Sequence, residues 1–215
     1  MMRSHWARPL PGLVFMVCWP LLVGCSGNPD LRQLTRELQS GRRDARYSAA
    51  RQIEDHIEQG VKANGAVPAL AEALSDTDPK VRYRAAKSLA KLGHAASPAV
   101  AELAAALVDP HNEDRIRYYV AKSIYKLGDE RTQATEQLVL ALGDSDPEVV
   151  CYAVKSLAKI GDPAERSLPK LKRLARSSDP QIRAAARAAV ESIKTEARQE
   201  AIEEPQKETS VVHSR

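Results

Sequence analysis

Metal chemistry needs clustered histidines, thiols or carboxylates, and nucleophilic chemistry needs a thiol or hydroxyl beside a base. The five histidines, His5, His56, His94, His111 and His213, are scattered along the 215 residues. The sequence holds no H-E-x-x-H, no cysteine pair at metal spacing and no glycine-rich phosphate loop. Its densest polar cluster is Asp109, His111, Glu113 and Asp114. Four polar side chains in a solvated interhelical loop account for that cluster, and no metal is assigned to it. Cys151 has no histidine near it in sequence and reads as an inert thiol on a helix face. No catalytic residue, cofactor or metal is expected.

The chemistry that does recur is that of an interface. Lys87, Lys122 and Lys155 form one column of equivalent positions, extended by Arg51, and Lys91, Lys126 and Lys159 form a second. All six tyrosines (Tyr47, Tyr83, Tyr118, Tyr119, Tyr125 and Tyr152) fall on the same segments as these lysines. Tyrosine beside a cation is an effective interface anchor, and a repeated cation favours an acidic partner. The candidate partner-binding set is therefore Tyr83, Tyr118, Tyr119 and Tyr152 with the six lysines. The competing reading is that the lysines only solvate an exposed helix face while the tyrosines pack between repeats. Asp55, Glu148 and Glu191 lie on the same segments and dilute the positive column.

The elements that position these residues are repeated. KSLAKLG at Lys87–Gly93 returns as KSIYKLG at Lys122–Gly128 and KSLAKIG at Lys155–Gly161. Extended outward, the copies begin their apolar stripes at Ala45, Val81, Ile116, Val149 and Ile182, spaced 36, 35, 33 and 33 residues apart. Each copy carries its own helix instructions. The Asp of Asp78-Pro79, Asp146-Pro147 and Asp179-Pro180 can accept from first-turn amides, and Pro at the first helical position lacks the amide that would go unpaired. Val81, Ala85, Leu89 and Leu92 then make one apolar stripe. Gly93, Gly128 and Gly161 sit where a left-handed residue would end each helix. A shorter apolar helix is expected upstream of each long one, over 29–39, 67–74, 98–108, 133–142 and 167–175. Such a pair buries its stripe only by stacking on its neighbours, so the expected fold is all-α, a right-handed solenoid of about five helix pairs. Small residues at Ala49, Ala85, Val120, Ala153 and Ala186 would let the helices approach closely.

The pattern D-x-x-V-R-x-x-A-A-x-x-L-x-x-L-G, seen from Asp78 to Gly93, resembles HEAT repeats of the short bacterial type found in phycobilisome lyases. The resemblance runs from about residue 30 to 193. Its Val-Arg pair stands at Val81-Arg82, recurs at Ile116-Arg117 and Ile182-Arg183, and is broken at Val149-Val150. The resemblance implies that the second helix of each pair lines the concave face, which would align the tyrosines and lysines into one ridge. It also brings two enzyme classes into view. Deoxyhypusine hydroxylases hold iron on His-Glu pairs, and this chain has no His-Glu dipeptide. Bilin lyases match the repeats better but act inside the cell, and a lyase-type enzyme stays as the alternative reading.

The amino terminus points outside the cell. Arg3 and Arg8 precede an apolar run from Leu10 to Val23 that Pro11 and Pro20 interrupt, which matches a signal peptide rather than a membrane span. The run closes in Leu22-Val23-Gly24-Cys25, which resembles the lipobox of bacterial lipoproteins. That resemblance implies cleavage before Cys25, acylation of Cys25 and firm attachment to a membrane. Ser26, where Asp would act as a retention signal, tilts the destination to the outer membrane of the envelope. Cleavage removes two of the 32 basic residues and none of the 28 acidic ones, leaving a net charge of +2. So mild an excess argues against nucleic acid as a partner. The organisation expected is a signal peptide at 1–24, a tether at 25–29, the repeat domain at 30–202 and a disordered tail at 203–215. The function expected is a membrane-anchored, non-catalytic scaffold for protein partners, with an anionic envelope polymer as an alternative ligand.

Overall fold

Caps written into the sequence start the long helices. Asp78 Oδ1 accepts from the Lys80 amide at 2.9 Å, Asp146 Oδ1 from Glu148 at 2.8 Å and Asp179 Oδ1 from Gln181 at 2.7 Å. In this computed structural model residues 30–195 are described, and the expected signal peptide (1–24), tether (25–29) and tail (203–215), with residues 196–202, lie outside them. Ten α-helices and no strand occur among the described residues. They are α1 (Leu31–Leu38), α2 (Arg43–Glu58), α3 (Val67–Glu72), α4 (Pro79–Leu92), α5 (Val100–Val108), α6 (Asp114–Lys126), α7 (Thr135–Ala141), α8 (Pro147–Ile160), α9 (Leu168–Leu174) and α10, described over 180–195. Odd-numbered helices are the short members of each pair, and most are preceded by a 3-10 turn.

The pairs stack in two layers. In one, α4 lies between α2 and α6, and α6 packs in turn on α8; in the other, α3 and α7 flank α5. Ala49, Ala85, Val120, Ala153 and Ala186 are fully buried, as close approach of the long helices requires. Leu89, Ile124 and Leu157, the central apolar residues of three successive copies, are fully buried too. The serines of the recurring stretch, Ser88, Ser123 and Ser156, are also fully buried, and none of their hydroxyls has a hydrogen-bond partner among the described residues. Their repetition fits the narrow space between the stacked helices. No described helix is long and apolar enough to cross a membrane.

Arginines tie the first four repeats together. Arg46 forks onto Asp76 at 2.6 and 3.0 Å, and Arg117 onto Asp144 at 2.7 and 3.0 Å. Between them, Arg82 donates to Asn112 Oδ1 at 2.8 Å and to the His111 carbonyl at 3.1 Å. Each is the Arg of the Val-Arg pair or its equivalent, reaching the turn that precedes the next long helix. Val150 breaks the series and is buried instead.

One expectation about helix ends is corrected. Gly93 (φ 59°, ψ −126°) and Gly161 (φ 73°, ψ −132°) do have positive φ, in a region that residues with a Cβ rarely enter. Gly128 does not: its φ is −67°, and α6 ends at Lys126 because Leu127 turns extended and buries its side chain. A glycine is nevertheless favoured there, since a Cβ would lie 2.8 Å from the His94 ring.

Candidate protein-binding face

The stack brings the tyrosines together on the long helices. Tyr83 meets Tyr119 edge-on at 5.5 Å between ring centroids, and Tyr119 meets Tyr118 at 4.9 Å. Tyr118 meets Tyr152 at 5.6 Å, and Tyr152 meets Tyr125 at 5.7 Å. The result is one continuous chain of five rings across α4, α6 and α8, each half-buried and so still presenting an edge or hydroxyl to solvent. Tyr125 was not in the set expected from the sequence. It joins because its position, about two turns along α6 from Tyr118 and Tyr119, faces Tyr152 on the next helix.

The lysines divide into two groups. Lys122 lies 5.3 Å from the Tyr118 ring and donates to its hydroxyl at 3.2 Å. Lys155 lies 5.5 Å from Tyr152, and Lys159 lies 4.1 Å from Tyr125. None of these three has a carboxylate within ion-pair range among the described residues. Lys126 is exposed and donates to the Ala90 carbonyl at 2.8 Å. Lys87 and Lys91 are differently engaged. Both reach Glu54 on α2, at 2.5 and 3.0 Å, and Arg84 reaches it as well at 2.6 Å. Lys91 pairs also with Glu58.

Glu54 is the residue that sequence reasoning missed. It is 1% exposed and takes three cations from the neighbouring helix. Burial pushes its carboxyl up, but the hydrogen bonds from Lys87, Arg84 and Lys91 outweigh that and hold it down at about 2. The same contact raises Lys87 above the usual lysine value. One signal was available: the equivalents of Glu54 in the next copies are Ala90, Tyr125 and Ala158. A carboxylate at a position otherwise held by small or aromatic residues needs cations close by.

The remaining candidates resolve into structure. Cys151 is buried beside the tyrosine chain. In the Asp109–Asp114 loop, Asp109 accepts from the His111 amide at 2.9 Å and Asp114 pairs with Arg117 at 2.6 Å. Asn112, which the cluster had passed over, is buried and holds the loop down through the Ala106 carbonyl at 2.9 Å.

Comparison with known proteins places this geometry in a family. A search of curated protein sequences finds no match. Among solved structures, an engineered protein is 26% identical with a TM-score of 0.64, covering 77% of this chain and 79% of that one. A designed armadillo repeat protein in complex with the peptide (KR)4 is 20% identical with a TM-score of 0.63, covering 76% and 81%. The complex of CpcE and CpcF of phycocyanin lyase from Nostoc sp. PCC7120 is 22% identical with a TM-score of 0.59, covering 92% and 71%. These likenesses establish a repeat solenoid. The profile of HEAT repeats matches residues 29–117 and again 100–191. Together the two segments span most of the sequence, and the chain belongs to the HEAT-repeat family.

Proposed function

We propose that the chain is a protein-binding scaffold whose long-helix face holds an acidic segment of a partner, and that acyl chains on Cys25 hold it to a membrane of the bacterial envelope. The observation that carries the reading is the unbroken tyrosine chain overlaid by Lys122, Lys155 and Lys159, cations with no carboxylate in ion-pair range among the described residues. Half-buried rings supply contact area at low entropic cost, and uncompensated ammonium groups attract carboxylates. The designed armadillo neighbour holds a basic peptide. Here the free charges on the face select the opposite sign. No reaction is assigned to the chain, and the envelope location rests on the lipobox-like end of the signal segment, with Ser26 favouring the outer membrane.

The test is partner capture by crosslinking in the native envelope. Lys122, Lys155 and Lys159 are reversed together to Glu, a six-unit change of local charge. Lys172, Arg173 and Arg176, exposed residues on and just after α9, receive the same reversal as a control. Lys87 is left alone, because reversing it would place a second carboxylate against Glu54. Loss of a protein partner in the first variant alone supports the reading. Equal recovery in both variants reduces the lysines to a solvated face, and loss of an anionic polymer instead of a protein transfers the face to that ligand.

A further inference from the structure

At the amino-terminal end of the tyrosine chain the face deepens into a cleft of about 380 Å³ between α2, α4 and α6. Tyr47, Lys80, Tyr83, Arg84, Glu113 and Arg115 line it. Its three cations are not equivalent. Arg84 is committed: its guanidinium pairs with buried Glu54 and lies 5.9 Å from the rings of both Tyr47 and Tyr83. Arg115 lies 5.2 Å over Tyr83 and makes only a long 3.5 Å contact with its hydroxyl. Neither Arg115 nor Lys80 has a carboxylate within ion-pair range among the described residues, and both are exposed. Arg84 lowers the Tyr47 phenol from its ordinary value by hydrogen bonding, and Arg51 and Lys80 act in the same direction, which marks the cleft as positive.

The next cleft along the stack shows that this charge is local. It shares Arg115, which there takes the place of Lys80, and is lined by Tyr118 and Tyr119, but Glu148 stands where the first cleft has Arg115, and Asp146 where it has Glu113. Position by position, the residue before each apolar stripe is Asp44, Lys80, Arg115, Glu148 and Gln181. Two uncompensated cations therefore stand side by side on α4 and α6, bounded by acids on the helices before and after.

We propose that this cleft is the anchoring subsite for a carboxylate side chain of the partner segment, with Arg115 and Lys80 donating to the carboxylate and the rings of Tyr47 and Tyr83 forming its walls. The inference rests on the long-helix face being a protein-binding surface. A guanidinium already poised over a ring offers its fork with less ordering to do than a free arginine, and two donors converging on one carboxylate give direction as well as charge. Glu113, which also lines the cleft, and Glu148 in the next one repel a second acid, so the site takes one carboxylate and not a continuous acidic run.

The experiment measures fluorescence anisotropy of a labelled twelve-residue peptide of alternating Glu and Ser, titrated with the full-length chain in mild detergent. Arg115→Ala and Lys80→Ala should each weaken binding about tenfold, the loss expected for one charge-assisted hydrogen bond. Arg115→Lys should recover only part of the loss, because the charge returns without the fork. Thermal melts matching wild type confirm that these exposed substitutions leave the fold intact. If both alanine variants bind within twofold of wild type while reversal of Lys122, Lys155 and Lys159 abolishes binding, the cleft is not the anchor and the face reading stands. If the wild-type chain does not bind the peptide, the acidic-partner reading fails and the cleft assignment falls with it.

Discussion

Replacing Glu54 by Gln tests how the long-helix face is held together. The substitution keeps the volume and removes one charge from a side chain that is 1% exposed and bonded to Arg84, Lys87 and Lys91 at 2.6, 2.5 and 3.0 Å. The carboxyl ionises at about 2 in the fold against 4.5 in its absence. That gap corresponds to about 3 kcal/mol of stability at neutral pH. Removing one member of a buried ion pair costs about 3–5 kcal/mol elsewhere. The three cations are about a quarter exposed and can turn to water, which places the expected cost near the lower figure. For a domain of this size about 3 kcal/mol lowers the melting temperature by roughly 6–12 °C. The sign of the pH dependence follows from the lowered value. The stabilisation is fully present above pH 4.5, where the unfolded carboxyl is also ionised, and is lost as pH falls toward 2. Melts of wild type and Glu54→Gln between pH 7 and pH 2.5 should converge on acidification, with wild type losing its advantage. A Gln variant that melts within a degree of wild type at pH 7, or a difference that stays constant down to pH 2.5, would refute the assignment of Glu54 as the ionised centre of this cluster.

Further outcomes follow from the same geometry. Glu54→Gln also releases Lys87 toward solvent, while Lys91 keeps its pair with Glu58, so affinity for the acidic peptide should rise severalfold in anisotropy even though the fold is weaker; unchanged affinity would mean that Lys87 lies outside the binding face. Gly93→Ala should cost about 1–3 kcal/mol in denaturant unfolding, because alanine is strained at φ 59° and ψ −126°, whereas Gly128→Ala should cost less than about 1 kcal/mol since the exposed His94 ring can swing aside. Ile124→Ala empties a fully buried position in the middle repeat and should cost about 2–5 kcal/mol, with hydrogen-exchange protection lost first in α6 and its immediate neighbours. Cys25→Ala should abolish incorporation of labelled palmitate and leave an uncleaved precursor on a gel; normal cleavage and labelling would remove the anchor from the proposal.

The helices were legible because each copy carries local instructions. Asp-Pro starts and four-residue apolar spacing act within one turn or two, so α4, α8 and α10 begin where their Asp-Pro pairs stand. The third copy lacks that pair, and α6 begins at Asp114 with no side-chain cap on its first turn. Its loop is held instead by Asn112, whose partner Arg82 sits 30 residues upstream. Nothing near Asn112 in sequence announces that contact. Gly128 failed for a related reason: its motif matches those of Gly93 and Gly161, but the extended turn at Leu127 ends the helix before the glycine is reached. The columns of tyrosine and lysine were legible because equivalent positions in a stack must align. Their electrostatic state was not, because it depends on which charges the next helix brings opposite them.

That dependence makes the two halves of the lysine columns different surfaces. Toward the amino terminus, Lys87 and Lys91 spend their charge on Glu54, and a carboxylate arriving from outside would compete with a partner that is already buried and in place. Toward the carboxyl terminus, Lys122, Lys155 and Lys159 rest on tyrosine faces. A ring is a weaker holder than a carboxylate: it restricts the lysine's rotamers, which lowers the ordering cost on binding, and it leaves the charge uncompensated. Identical residues at equivalent positions thus brace the fold in one half of the stack and stand ready for a ligand in the other. Arg84 and Arg115 repeat the division on the same two helices, α4 and α6, the first bound to Glu54 and the second poised over Tyr83. The boundary between the two behaviours runs along α4, where the carboxylates of α2 come within reach of one side of the helix and the open face of α6 begins on the other.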